Sequence, residues 1–191
     1  MRFTFCPLFS GSSGNAIFIG AQDTRILIDA GMPGRAIERA LHEIGVLPET
    51  LTALAVTHEH SDHTKGVGIL SRKYHLPVYA NERTFNAMAR QIGEIEPRNR
   101  RFFEDGEDFY IGDLALLPFP IPHDAADPVG YRVFYGGRSV GVATDMGYMK
   151  KSVLNTLSGV DVLLLESFLL KNAKEQPLTE TEEAFLRRVQ G

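Results

Sequence analysis

Residues 57–63 read THEHSDH, three histidines and an aspartate packed into seven positions directly behind the apolar run LTALAVT. Alternate side chains of an extended segment share a face, so His58 and His60 leave a strand end pointing the same way, which makes a ready chelate for a metal. Asp62 and His63 follow where the chain turns into the next helix, aimed at a position beside the first pair. Imidazole and carboxylate together suit zinc, iron, manganese or cobalt, and without a cation the crowding would cost mutual repulsion at low pH. A lone HxH is a common surface pattern, whereas HxHxDH behind an apolar strand is far more specific. Two more donors stand at later strand ends: His123 in IPHDA, directly after PFPI, and Asp145, which closes VGVATD. Singly they read as a loop histidine and a turn aspartate; with the cluster they read as candidate ligands converging on one sheet edge. No Ser-His-Asp or Cys-His arrangement competes, because Cys6 lies in a predicted strand and the cluster already claims the histidines. His42 and His75 fall on helical or helix-end patterns and are assigned to structure.

The elements that must position these groups alternate between strand and helix. FTFCPLF and AIFIG flank SGSSGN, the small polar residues expected of a turn between paired strands. RILID reads as a buried strand ending at Asp29, followed by Gly31, Pro33 and Gly34 as breakers and a helix with Ile37, Ala40, Leu41 and Ile44 on one face. LTALAVT is the next strand. After the histidines come helical spacing through Val67, Leu70 and Tyr74, a short strand PVYA, and a helix carrying Phe85, Met88, Ala89 and Ile92. Residues 97–105 read as loop. DFYIGDLALLPFPI is strand, Gly-Asp turn and strand; GYRVFYGGRSVGVATD repeats the idea around Gly136-Gly137; DVLLLE is a last strand ending at Glu166. Strand pairs on short turns, with helices between other strands, predict an α/β sandwich of two mixed sheets covered by helices on their outer faces.

At 191 residues the chain suits one domain, and 43% hydrophobic with 23% charged residues excludes disordered and fibrous classes. No stretch approaches the roughly 18 apolar residues of a membrane span, and MRFTFCPLFSGSSGN lacks the pattern of a signal peptide. Cys6, the single cysteine, forms no internal disulfide, so a reducing compartment and a cytoplasmic location are expected. A net charge of −4 means that bulk electrostatics does not draw the protein to nucleic acid or anionic lipid; any such affinity comes from a local patch or a metal. One local candidate is RNRR at 98–101 followed by Phe102 and Phe103, charge plus aromatic surface of the kind single strands favour, or equally a solvated loop with its rings packed inward. GSSGN is either a tight hairpin turn or a set of backbone N–H groups offered to a phosphate.

FCPLFSGSSGN, LIDAG, THEHSDH, PHDA and ATDMG together resemble the metallo-β-lactamase superfamily of αββα hydrolases, and within it the WalJ (YycJ-like) branch. The resemblance runs from residue 3 to about 167 and implies a metallo-β-lactamase-like domain over 1–167, with 168–191 as a divergent tail. It implies two adjacent divalent ions, Zn2+ or Mn2+: His58, His60 and His123 on the first, Asp62 and His63 on the second, Asp145 bridging them, and Asp29 steadying the histidine loop from behind. Asp29 is otherwise an ordinary turn residue. Family members carry one further histidine late in the chain, in ESNHD where this sequence has ESFLL, and none of the six histidines here lies after His123. A C-terminally shortened fold and a second metal site that is weak or empty are therefore expected. Thr179 and Glu182 have capping-box spacing ahead of Phe185, Leu186 and Val189, which predicts a short docked helix in the tail.

Two metal ions about 3.5 to 4 Å apart acidify water and neutralise charge on an attacked group, which is hydrolysis, with Asp62 placed to orient the attacking hydroxide. The WalJ-like resemblance implies a phosphodiester substrate, DNA; a thioesterase of glyoxalase II type is the nearer alternative, and a non-catalytic metal-binding scaffold the more distant one. The sequence is silent on oligomeric state and implies no membrane partner.

Overall fold

The structure, a computed structural model, describes residues 3–167. The first sheet contains β1 (Phe3–Phe9), β2 (Ala16–Ala21), β3 (Thr24–Ile28), β4 (Ala53–Ala55), β5 (Val78–Ala80) and β6 (Arg100–Phe102), in that order across the sheet. β1, β2 and β3 pair antiparallel and β3 to β6 parallel, so β3, β4, β5 and β6 all end at one edge. The second sheet contains β7 (Phe109–Ile111), β8 (Leu114–Pro120), β9 (Val129–Tyr135), β10 (Arg138–Met146) and β11 (Val162–Ser167), with β11 and β7 at its borders. Its four leading strands are antiparallel, and β11 joins β10 in parallel.

Side-chain alternation decides the layers. Along β2, β3 and β4, Ile17, Ile19, Ile26, Ile28, Ala53 and Ala55 face the second sheet, where they meet Leu114, Leu116, Val129, Tyr131, Val133, Val140 and Val142. The intervening Ala16, Phe18, Leu27 and Leu54 face outward under three helices, α1 (Gly34–Glu43), α3 (Val67–Tyr74) and α4 (Glu82–Ile92). α5 (Lys151–Leu157) covers the far face of the second sheet through Val153 and Leu157 against Phe119, Ala143 and Met146. The predicted αββα sandwich of mixed sheets is therefore observed. Among the described residues no helix is long and apolar enough to cross a membrane.

Three local expectations are refined. LTALAVT contributes only Ala53–Ala55 to the strand; Val56 N–H still donates to the Tyr79 carbonyl at 2.9 Å, and Thr57 and His58 follow at the sheet edge. Residues 97–105, expected as loop, contain the short border strand β6, whose Arg100, Arg101 and Phe102 are exposed and so carry no alternating pattern for a reader to find. Phe103 beside it is buried, packing its ring against Phe109. Gly136 and Gly137 form the β9–β10 turn as expected, both with positive φ (57° and 79°), the conformation a tight hairpin of this hand requires. The predicted tail helix lies outside the described residues.

Candidate metal centre

β3 and β4 are parallel neighbours with Ile28 opposite Ala55, so the residues after them emerge together. Asp29 takes a left-handed conformation (φ 61°) and donates its N–H to the Ala55 carbonyl at 2.8 Å, turning its carboxylate toward the β4 end. That carboxylate, 1% exposed, accepts the Thr57 N–H on Oδ1 and the Thr57 hydroxyl on Oδ2, both at 2.8 Å, and lies 2.7 Å from His63 Nδ1. The consequence is a relay of orientation. With its proton committed to Asp29, the Thr57 oxygen accepts from His58 Nδ1 at 3.0 Å, which fixes the His58 tautomer and leaves Nε2 as a lone pair facing inward. His63 Nδ1–H donates to Asp29 in the same way, so its Nε2 also faces inward.

α2 (Ser61–Thr64) is a single turn in which the His60 carbonyl accepts from His63 N–H at 2.9 Å, and the His63 ring lies 4.0 Å, centroid to centroid, from that of His58. Its placement depends on a close approach at Gly31: a Cβ there would lie 1.6 Å from the Asp62 carbonyl oxygen. Asn15 sits in the same joint, donating its N–H to the Asp62 carbonyl and accepting from Gly31 N–H, each at 2.7 Å. The β1–β2 turn, α2 and the β3 exit are thus sewn together by backbone bonds.

The second sheet supplies the remaining groups. His123 follows β8, and its loop is held from three sides: Asn81 Nδ2 donates to the Asp127 carbonyl (2.8 Å), Thr84 Oγ1 donates to the same carbonyl (3.1 Å), and Glu59 Oε1 accepts from Ala126 N–H (2.9 Å). Asp145 stands at an irregularity in the β10–β11 register with φ 56°, an unusual conformation for a non-glycine residue that aims its carboxylate at the histidines. Val129 N–H donates to the Thr57 carbonyl at 3.0 Å and the Tyr131 hydroxyl to the Val56 carbonyl at 2.6 Å, fastening β9 directly to the exit of β4. On the other side of the mouth the Ser10 hydroxyl donates to Glu166 at the end of β11.

The convergent donors form two groups that share His58. The ligand atoms of His58, His60 and His123 lie within 4.8 Å of one another, and so do those of His58, His63 and Asp145. Asp145 Oδ2 lies 2.6 Å from His63 Nε2 and 3.7 Å from His58 Nε2. His60 Nδ1 and His123 Nε2 are 3.1 Å apart. Asp62 belongs to neither tight group; its Oδ2 is 3.8 Å from His63 Nε2, with the side chain 31% exposed at the rim. His42, exposed on α1, and His75, at the C-terminal end of α3 with φ 55°, take no part in either group.

Electrostatics fits a cation at this place. Burial, reinforced by the neighbouring imidazoles of His63, His123 and His60, pushes the His58 pKa down to about 2, so it is a neutral lone-pair donor throughout the physiological range. His123 is likewise lowered, chiefly by burial. Burial also works against a charge on His63, but Asp29 and Asp145 on its two nitrogens outweigh it and raise its pKa to about 10. Burial opposes ionisation of Asp145 as well, and the His63 contact overcomes it, holding the carboxyl below the usual range. His58 Nε2 is buried without a hydrogen-bond partner among the described residues, a cost of about 1–3 kcal/mol that a bound cation would remove. The neutral imidazoles of His58 and His123, the ionised Asp145 carboxylate and the orphaned lone pair suit a divalent cation.

Three contributors escaped the sequence reading. Asn15 looked like a turn residue, Thr57 like the last strand residue, and Glu59 like the spacer of a metal motif. Only their hydrogen bonds to residues far along the chain give them a role, and the one local hint was the asparagine closing SGSSGN.

A family model described as the Beta-lactamase superfamily domain matches residues 24–186. The exodeoxyribonuclease YycJ of Bacillus anthracis is 38% identical over 167 residues, 87% of this chain and 63% of that protein. The exodeoxyribonuclease WalJ of Streptococcus pneumoniae serotype 2 (strain D39) is also 38% identical over 167 residues, 86% of this chain and 62% of its own length. The chain thus spans somewhat under two thirds of the curated relatives it matches. Among solved structures, the Rm3 metallo-beta-lactamase superposes with a TM-score of 0.66 at 16% identity, covering 93% of this chain and 86% of that one. The metallo-beta-lactamase fold protein YhfI from Bacillus subtilis gives 0.64 at 19% identity, covering 81% and 65%.

Proposed function

Since this chain belongs to the metallo-β-lactamase superfamily, a family that binds divalent metal, and carries the His/Asp cluster, we propose that it is a metal-dependent phosphodiesterase that removes nucleotides from DNA, as the names of its YycJ and WalJ relatives suggest. The observation that carries the proposal is the pair of donor groups that meet at one sheet edge and share His58, with the Asp145 carboxylate in one of them. In this reading His58, His60 and His123 would hold one divalent ion, Zn2+ or Mn2+, and His63, Asp62 and Asp145 would serve a second. Bound divalent ions supply Lewis-acid chemistry: they acidify water and neutralise the negative charge of a phosphodiester.

The residues of the chain do the rest. Asp29 and Thr57 keep the Nε2 lone pairs of His58 and His63 turned to the centre. Asp62, at the partly open rim, accepts a proton of the attacking water and orients its oxygen toward phosphorus. Glu59, Asn81 and Thr84 hold the His123 loop against the HxHxDH segment. The location proposed is cytoplasmic.

The test is hydrolysis of a bis-aryl phosphodiester and of a glutathione thioester by the same metal-loaded preparation, with an end-labelled single-stranded DNA oligonucleotide beside them. Cleavage of the phosphodiester and stepwise shortening of the DNA are expected; cleavage of the thioester alone refutes the nuclease reading. Absence of any turnover at full metal occupancy favours a metal-binding scaffold instead.

A further inference from the structure

Just past Asp145 the chain carries an exposed aromatic ring that belongs neither to the core nor to the His/Asp cluster. β10 ends at Met146, one residue after Asp145, and α5 starts at Lys151. The connector is pinned on both sides of Tyr148. Gly147 N–H donates to the carbonyl of Pro122, the residue before His123, at 2.8 Å, and Met149, 5% exposed, is seated in the core under α5. Tyr148 between them is 53% exposed. Its Cα stands within about 11 Å of that of Asp145, the reach of three extended residues.

Positive charge adjoins the ring. Lys150 and Lys151 are both exposed, and Lys150 Nζ lies 5.7 Å from the Tyr148 ring centroid, close enough for cation and ring to attract each other. Among the described residues neither lysine is within ion-pair distance of an acid. An accessible ring with unpaired cations beside it suits single-stranded nucleic acid, in which each base offers a flat face to stack and each nucleotide a negative phosphate. With a net charge of −4 on the chain, such binding needs a local patch. RNRR at 98–101 serves less well: Arg98 is paired with Glu96 at 2.6 Å, Phe103 is buried, and the acidic stretch 104–108 follows at once.

We infer that the Tyr148 ring is a stacking surface for a base of a single-stranded DNA substrate, next to the phosphate that is cut, and that Lys150 and Lys151 bind phosphates beyond it. The inference rests on the phosphodiesterase reading and names the form of DNA the centre takes. A base stacked inside a duplex has no free face for the ring, so the strand must present unpaired bases.

The experiment measures fluorescence anisotropy of a short, phosphorothioate-linked single-stranded oligodeoxythymidylate on the manganese-loaded full chain, with metal content determined on the same samples. The variants are Tyr148→Ala, Tyr148→Phe and the double substitution Lys150→Ala with Lys151→Ala. Tyr148→Ala is expected to keep its metal and to bind the oligonucleotide about 5- to 150-fold more weakly, the size of one base stacked on an aromatic ring. Tyr148→Phe keeps the ring and is expected to bind like wild type. The double lysine variant should flatten the slope of log affinity against log salt by about 1.4, twice the single-strand value for one phosphate contact. Wild-type affinity in Tyr148→Ala overturns the inference, as does equal weakening in Tyr148→Ala and Tyr148→Phe, which would assign the contact to the hydroxyl. Metal loss in Tyr148→Ala also overturns it, by making the tyrosine a support of the centre. A wild-type chain that binds the oligonucleotide through Tyr148 yet cleaves no phosphodiester refutes the proposed reaction and leaves this surface standing. A chain that shortens DNA while the substitutions move neither affinity nor salt slope does the reverse.

Discussion

Replacing Asp29 by asparagine keeps the volume of a fully buried side chain and changes a single atom and one charge. One carboxylate presently serves Thr57 N–H, the Thr57 hydroxyl and His63 Nδ1–H, at 2.8, 2.8 and 2.7 Å. In Asp29→Asn, Oδ1 still accepts the Thr57 N–H, but an NH2 group takes the place of Oδ2 and faces two donors. The imidazole of His63 then relaxes by moving its proton to Nε2, so that Nδ1 accepts from the new amide and the lone pair needed at the centre is lost. Thr57 loses its acceptor too, which releases His58 Nδ1 from its fixed tautomer. The loss of a hydrogen bond to a charged group is worth about 1.5–3 kcal/mol. This agrees with the 10- to 100-fold fall in metal affinity typical of removing a partner behind a ligand, or about 1.4–2.8 kcal/mol. Competition against a chromophoric chelator measures it directly, with Asp23→Asn as the exposed control. A metal affinity within twofold of wild type, in a variant with unchanged melting temperature, would refute the relay through Thr57 and His63.

Four further outcomes are expected. His60→Ala loses metal and hydrolysis with little change in melting temperature, whereas His42→Ala, on the outside of α1, retains both; elemental analysis and the phosphodiester assay decide. Gly31→Ala forces a Cβ to within 1.6 Å of the Asp62 carbonyl oxygen, so the β3 exit and α2 must separate; a loss of at least about 1–3 kcal/mol is expected in urea unfolding, with metal content falling alongside. In excess chelator, His63 with its pKa raised to about 10 contributes stability that is complete below about 6.5 and is lost as pH rises toward 10, while His58, lowered to about 2, costs stability as pH falls below about 6.5. The melting temperature should therefore peak near neutrality, and a monotonic profile would contradict the assignment. Binding of a metal must displace the second proton of His63, so calorimetry in buffers of different ionisation enthalpy should detect proton release, and affinity should rise with pH through the neutral range.

The convergent His/Asp cluster was legible because its residue types are rare at strand ends and their chemistry is explicit: HxHxDH, His123 and Asp145 each stand at or near the end of an apolar strand. The sandwich was legible because β2, β3 and β4 alternate residues between the inter-sheet core and the helix layer. β6 was not, since a three-residue strand exposed along its length has no alternation to read. Nor were Asn15, Thr57 and Glu59: asparagine, threonine and glutamate are ordinary in turns, and their value here lies in partners 47, 28 and 67 positions away. A pattern within a short window cannot carry that information. Asp29 was intermediate, named as a support on resemblance, and its left-handed backbone and double acceptance from Thr57 supply the physical reason.

The fastening of β9 to the exit of β4, through Val129 to Thr57 and Tyr131 to Val56, bears on when a chain becomes competent to hold metal. HxHxDH is synthesised long before His123 and Asp145, and on its own it offers an incomplete and mobile set of donors. Only when the second half of the chain docks do those two bonds close and bring the late ligands to the early ones. Metal capture therefore follows the slow, long-range step of folding. A captured ion then holds the two halves together by mass action, selectively retaining chains whose halves have joined in the correct register. Metal loading would in this sense act as a proofreading step for assembly, since a chain arrested before docking lacks the late donors His123 and Asp145.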